Sequence, residues 1–276
     1  MKTINLKSFL ASLRADVREK AKASGLGDPN KPPAVRPCAE CGTVLAPKWS
    51  SGGGVWLFPG CGEVLACRLK KKAAADMKAY EAAVDRSRTP IRMRHFSLVE
   101  RDGREVLLVD RKNKALAEAC MSWDGSRWLV ASGSVGSGKT TWLTALLLEH
   151  LMQNPGCNAR WTSEQRIYRK AALHADKSHA GREKVLQEYM DADVLMMDDL
   201  GASRRDLTEW QGGAMRDLLM ERHLGSLPTF ISTNLSMEAI AKRYGDHVAS
   251  RISESCGGII KVNGFDRRLQ KKTNRR

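Results

Sequence analysis

A chain of 276 residues carrying 46 Lys and Arg against 31 Asp and Glu, a net charge of +15, is long enough for one medium domain with a sizeable core plus a smaller module. That size excludes a small scaffold held together by disulfides, and Met1 to Lys7 lead into a charged amphipathic segment rather than a signal peptide or membrane span. The expected setting is the cytosol, where paired cysteines are rare, and the excess of cations favours a polyanionic partner, nucleic acid first, because neutralised phosphates release counterions.

In residues 1–26, Ile4, Leu6, Phe9, Leu10, Leu13, Val17 and Ala21 recur at three- and four-residue intervals, which predicts an amphipathic helix ended by Gly25 and Gly27. Its stripe suits a docking helix for a partner or a helix packed on its own domain. A Pro-rich linker completes this first segment, residues 1–36.

Residues 37–70 form a cysteine module. Cys38 and Cys41 make a C-x2-C knuckle that presents two thiolates to one tetrahedral zinc, and Cys61 and Cys67 could close the site. Their five-residue spacing departs from a second knuckle, and buried or unpaired thiols are the alternative. Gly52, Gly53 and Gly54 between the pairs read as the tip of a small ribbon. Cys120, Cys157 and Cys256 stand alone as ordinary thiols.

The run from Arg68 to about Arg86 has high helix propensity and a basic start, so residues 71–89 read as a connecting helix, broken at Pro90. Residues 90–270 form the main domain, and residues 271–276 a basic tail. A helix over Lys112 to Met121 precedes a short apolar strand, Arg127 to Ser132.

Gly133-Ser134-Val135-Gly136-Ser137-Gly138-Lys139-Thr140 then fits G-x-x-x-x-G-K-[ST] in full, and Thr141 to Met152 continues with apolar residues at helical spacing. Strand, loop and helix are the context this motif requires. Its glycines let backbone N–H groups point inward at a helix N-terminus, a cradle for phosphate oxygens, with Lys139 reaching the β- and γ-phosphates and Thr140 the magnesium ion. A nucleoside triphosphate site follows.

Beyond the loop, Ala159 to Thr162 is a weak strand, and a basic helix carries Arg166, Arg169 and Lys170, candidates for DNA contact. Val194-Leu195-Met196-Met197-Asp198-Asp199 is an apolar run ending in two carboxylates, the pattern of a buried parallel strand. Asp198 is expected to hold magnesium and Asp199 to orient the attacking water or take its proton. A helix from about Thr208 to His223 leads to the strand Pro228 to Thr233, whose end presents Asn234 to the water or γ-phosphate. Gly258 to Val262 is the last strand.

Together, Gly133 to Thr140, Val194 to Gly201, Phe230 to Leu235 and Arg243 to Ile252 resemble the DnaC-like and IstB-like branch of AAA+ ATPases, which includes bacterial and phage replicative helicase loaders. The resemblance implies an α/β fold with a parallel sheet flanked by helices, here with the N-terminal helix and zinc-ribbon-like module added. It implies an arginine finger at Arg251 reaching a neighbouring subunit's γ-phosphate, and a second sensor arginine at Arg268. It also implies ATP with Mg2+ as cofactors, an ATP-dependent homo-oligomer, single-stranded DNA and a DnaB-like replicative helicase as partners, and a cytoplasmic setting in a bacterial cell or phage-infected host. An IstB-like helper that binds double-stranded DNA and recruits a transposase is the alternative. Asp199 stands where many AAA+ proteins carry Glu.

Overall fold

The computed structural model describes residues 28, 30–50, 54–61, 63–101, 103–174, 179–203 and 206–262. The helix expected over residues 1–26, Arg268 and the basic tail lie outside them. The chain divides into two compact units, Met1–Lys78 and Ala79–Arg276. Among the described residues no helix is long and apolar enough to cross a membrane.

In the first unit, β1 (Arg36–Pro37) pairs antiparallel with β2 (Val44–Leu45), and β3 (Lys48–Ser50) with β4 (Val55–Leu57). The second pair is the ribbon expected around the triple glycine. Trp49 and Trp56 face each other across it, ring centroids 5.4 Å apart and edge to face, the arrangement aromatic quadrupoles favour. The helix α1 (Leu65–Ser87) starts earlier than the sequence predicts, so Cys67 lies in its first turn rather than in a loop before it.

The second unit opens with a 3-10 turn at Ile91–Met93, a short parallel pair, β5 (Phe96–Ser97) and β6 (Glu105–Val106), and α2 (Lys114–Met121). The sheet that follows is built from β7 (Leu129–Gly133), β8 (Ala159–Ser163), β9 (Val194–Leu200), β10 (Thr229–Thr233) and β11 (Ile260–Val262). Their spatial order is β11-β7-β10-β9-β8, and every neighbouring pair is parallel. The intervening helices are α3 (Lys139–Gln153), α4 (Glu164–Leu173), α5 (His179–Met190), α6 (Glu209–Leu224), α7 (Met237–Tyr244) and α8 (Asp246–Cys256).

Alternation along the strands divides the core in two. Leu129, Ala131, Val194, Met196 and Phe230 pack with α2, α3 and the C-terminal end of α1. Val130, Leu195, Met197 and Ile231, one residue out of phase, pack with α4 to α8. Both faces are therefore apolar, which is why β9 reads as an unbroken hydrophobic run. Four leucines of α3 are fully buried, each contributing about 1.5–3 kcal/mol on removal from water.

Helix starts follow local chemistry. Ser163 caps α4 by accepting from Arg166 N–H, Thr208 and Gln211 form a reciprocal capping box on α6, and Ser236 caps α7. The helix α5 was not legible, since Val185, Leu186 and Tyr189 are too few to mark a stripe; they are nevertheless buried.

Candidate ATP site and cysteine centre

The loop after β7 sits where strand order reverses, because β7 is flanked by β10 and β11, the last two strands, while β8 lies at the far edge. In open α/β sheets such a point leaves a crevice at the carboxyl ends of the strands, where ligands bind. Gly133 has φ +154°, and a Cβ there would overlap the Val262 carbonyl oxygen, so β11 can pair with β7 only if this residue is glycine. Gly138, at φ +97°, takes the left-handed turn into α3. Ser134, Val135, Gly136 and Ser137 form the arch between them, and Thr141 follows on the first turn of α3.

Lys139 is folded into this arch. Its ammonium donates to Gly133 O at 2.7 Å, Ser134 O at 2.8 Å and Asn234 Oδ1 at 3.0 Å. Asn234 therefore reaches the phosphate loop from the end of β10. Thr140 Oγ1 donates to Asp198 Oδ1 at 2.5 Å, which joins the residue expected to meet magnesium to the first carboxylate of β9.

One residue at this junction was missed. Ser232, fully buried on β10, donates to Asp198 Oδ1 at 2.6 Å and accepts the Asp199 N–H at 2.9 Å. The pairing of β9 with β10 slips between Ile231 and Thr233, so that Leu200 rather than Asp199 faces Thr233. Asp199 is the extra residue of this bulge. It is exposed and has φ +53°, a left-handed conformation that Asp tolerates better than most residues. Asp198 is buried at this junction, whereas Asp199 is exposed. With Thr229 and Thr233 also polar, nothing in the sequence of β10 singles out Ser232.

A second missed group is Glu164, completely buried at the start of α4. It accepts from Tyr168 Oη at 2.8 Å, Tyr244 Oη at 3.0 Å and Gly201 N–H at 2.8 Å. Burial, followed by the Glu164 charge, pushes both phenols upward, so they remain donors. In the sequence Glu164 resembles any acid favourable in a first helical turn, so nothing local distinguishes it.

Arg251 lies on an exposed face of α8, where Nη1 donates to Glu254 Oε2 at 2.7 Å. The basic face of α4 differs from expectation. Lys170 is ion-paired with Glu188 of α5, which also meets Arg160 at 3.2 Å and Arg88 at 3.5 Å. Its charge is therefore engaged within the fold. Arg166 stacks over Trp161 at 5.5 Å, and Arg169 is exposed.

In the first unit, Cys38, Cys41, Cys61 and Cys67 come together with all four Sγ atoms within 4.8 Å of one another. Sulfurs around one tetrahedral zinc, each at about 2.3 Å from it, stand roughly 3.8 Å apart, so small adjustments suffice. Gly42 N–H donates to Cys38 O at 2.8 Å with Gly42 at φ +67°, which closes the knuckle. Lys71, one turn beyond Cys67, pairs with Glu40 at 2.5 Å. The donor set fits a structural zinc: four thiols and no open position.

Residues 71–274 match the family model described as IstB-like ATP binding protein. Among solved structures, one described as a DNA replication initiation factor is 18% identical, with a TM-score of 0.50 over 61% of this chain and 52% of that one. The chain thus spans about half the length of that structure, and the likeness is one of fold. A structure described as DnaI is 24% identical, covering 65% of this chain and 94% of that one with a TM-score of 0.49. DnaA from Aquifex aeolicus bound to AMPPCP is 17% identical over 61% of this chain and 53% of that one, TM-score 0.49. No curated protein sequence matches. The family match spans most of the chain and includes the whole phosphate-loop sheet: this chain belongs to the IstB-like ATP-binding family and is an AAA+ ATPase.

Proposed function

We propose that this ATPase is a loader of a replicative DNA helicase, which binds the helicase and single-stranded DNA and uses its nucleotide cycle during DNA replication. The carrying observation is the meeting of Lys139 with Asn234 and of Thr140 with Asp198 at the carboxyl ends of parallel strands, in a chain whose ATPase domain follows a four-cysteine module. The module offers a separate surface on which a protein partner can be held. The net charge of +15 supports a DNA partner.

In this reading the arch from Gly133 to Gly138 surrounds the phosphates, and Lys139 exchanges Gly133 O and Ser134 O for β- and γ-phosphate oxygens. Magnesium, when bound through Thr140 and Asp198, supplies charge neutralisation across those oxygens. Asp199 and Asn234 orient the attacking water. Its oxygen bonds to the γ-phosphorus as the bond to the leaving ADP oxygen breaks, and its proton passes to Asp199 or solvent. Arg251 acts in the neighbouring subunit's site, with Arg268 as a second sensor. Arginines supplied in trans accelerate related transfers by about 10³ to 10⁵.

Weighing the mass of mixtures with the replicative helicase, with and without ATP, tests the reading; a loader forms a nucleotide-dependent complex. Failure to bind helicase, together with ATP-dependent coating of double-stranded DNA and capture of a transposase, establishes the second reading, which the IstB-like family match supports. The trans role has its own test. Arg251→Ala and Asp199→Asn subunits, each inactive alone, regain turnover when mixed, because one supplies the intact site and the other the arginine. No recovery removes Arg251 from that role.

A further inference from the structure

The Glu164 carboxyl joins three elements that the ATP reaction has to coordinate. Gly201 N–H binds Oε2 at 2.8 Å, and Gly201 stands two residues beyond Asp199. Its own backbone is left-handed, φ +76°, and a Cβ would overlap Leu235 Cδ1, the side chain next to Asn234. The Asp199–Ala202 turn is closed by Ala202 N–H donating to Asp199 O at 3.1 Å. The bulge is thus held from behind by Ser232 and from ahead by Glu164.

On the other oxygen, Oε1 accepts from Tyr168 on α4 and from Tyr244, the last residue of α7, 80 positions away in the chain. Tyr244 is followed by Gly245, at φ +107°, and then directly by α8, which carries Arg251. Tyr168 Oη also lies 3.1 Å from Gln211 O, in the first turn of α6. The three groups described on the carboxyl, Tyr168 Oη, Tyr244 Oη and Gly201 N–H, are donors, and the carboxyl is fully buried. Moving any one of them leaves a buried acceptor or phenol without its partner, at a cost far above that of a surface contact.

We propose that Glu164 is a positioning residue that couples the Asp199 turn to the α7–α8 pair carrying Arg251, so that nucleotide in one subunit's site sets the arginine it offers to the next. This rests on the roles given above to Asp199 and Arg251. A shift of the Asp199–Gly201 turn on nucleotide binding moves the Gly201 N–H against Oε2, and the shared carboxyl transmits the change to Tyr244 and the start of α8. The element is compact, with two arms on one rigid group. Coupling is reciprocal, so a neighbour's engagement of Arg251 must also act back on Asp199.

The test uses the full-length protein and the variants Tyr244→Phe and Glu164→Gln. Tyr244→Phe removes one hydroxyl while keeping the ring, and Glu164→Gln keeps the shape while replacing one acceptor oxygen with a donor. Hydrogen exchange of residues 199–203 and 237–256 is measured with and without a non-hydrolysable ATP analogue, beside analogue affinity and ATP turnover. In wild type the analogue changes exchange in both segments. In the variants affinity stays within about threefold, the response of 237–256 is lost, and kcat falls about tenfold or more while KM for ATP is little altered. Glu164→Asp, which keeps the carboxyl on a shorter arm, restores part of the response.

An unchanged response of 237–256 in both variants overturns the proposal, whatever the turnover. So does a fall in analogue affinity parallel to the fall in kcat, which marks a merely structural role. If wild type binds the analogue but does not turn over ATP, the hydrolysis reading fails, while the exchange measurement still decides the coupling.

Discussion

Replacing Ser232 with alanine tests how the two aspartates are held. The hydroxyl is fully buried, donates to Asp198 Oδ1 at 2.6 Å and accepts Asp199 N–H at 2.9 Å. Its removal leaves a backbone donor of the bulge without this acceptor, worth about 1–3 kcal/mol, and costs Asp198 one of two hydroxyl donors. Thr140 still reaches Asp198, so the loss is partial. A total near 3 kcal/mol lowers the Tm of a unit of this size by roughly 6–12 °C. On the role proposed for Asp199, whose backbone is held in the bulge by this hydroxyl, turnover falls by about tenfold or more, with nucleotide affinity retained through the unaltered loop. Thermal unfolding followed with and without nucleotide, and steady-state ATP hydrolysis, measure these effects. A variant with wild-type Tm and wild-type kcat refutes the claim that Ser232 positions the carboxylates.

The ion pair between Arg101 and Glu149, the latter buried on the phosphate-loop helix, predicts an acid response. Burial opposes ionisation of Glu149, but Arg101, at 2.6 Å, and Ser97, at 2.7 Å, outweigh it and hold the carboxyl below the ordinary range near about 4.3. With the folded value depressed, the stabilisation is complete above the unfolded value and lost as pH falls through the folded one. Arg101→Ala lowers stability at neutral pH by about 1–3 kcal/mol, discounted because Arg101 is a third exposed, and flattens the acid limb of a denaturation-versus-pH series. In the cysteine centre, metal analysis of the purified chain finds one zinc, and Cys67→Ser or a strong chelator releases it with loss of order in the first unit but not in the ATPase sheet. Zinc retained by Cys67→Ser excludes that thiol as a ligand.

The residues legible without a structure are those whose chemistry is local. Gly133 to Thr140 work as one loop, and a match to the motif carries its own geometry. Asp198 and Asp199 end an apolar run, and a run buried on both faces has its polar end at the sheet's edge. The expected strands β7 to β11 are all present for the same reason, with ends displaced by one or two residues. The weak stripe of α5 and the early start of α1 escaped notice because neither has a periodic or capping signal strong enough to mark it.

From sequence alone come the phosphate loop, the paired aspartates and the Cys38–Cys41 knuckle, since each carries its chemistry within a few consecutive residues. Which strands lie side by side was decided only by tertiary structure: hydrophobic alternation says that a strand is buried, not what its neighbour is. The order β11-β7-β10-β9-β8 brings Val262 against Gly133, Asn234 against Lys139 and Ser232 against both aspartates. The same packing engages Lys170 with Glu188 and closes Tyr168, Tyr244 and Gly201 around Glu164. A buried carboxyl needs donors, and only the folded chain selects which distant residues supply them.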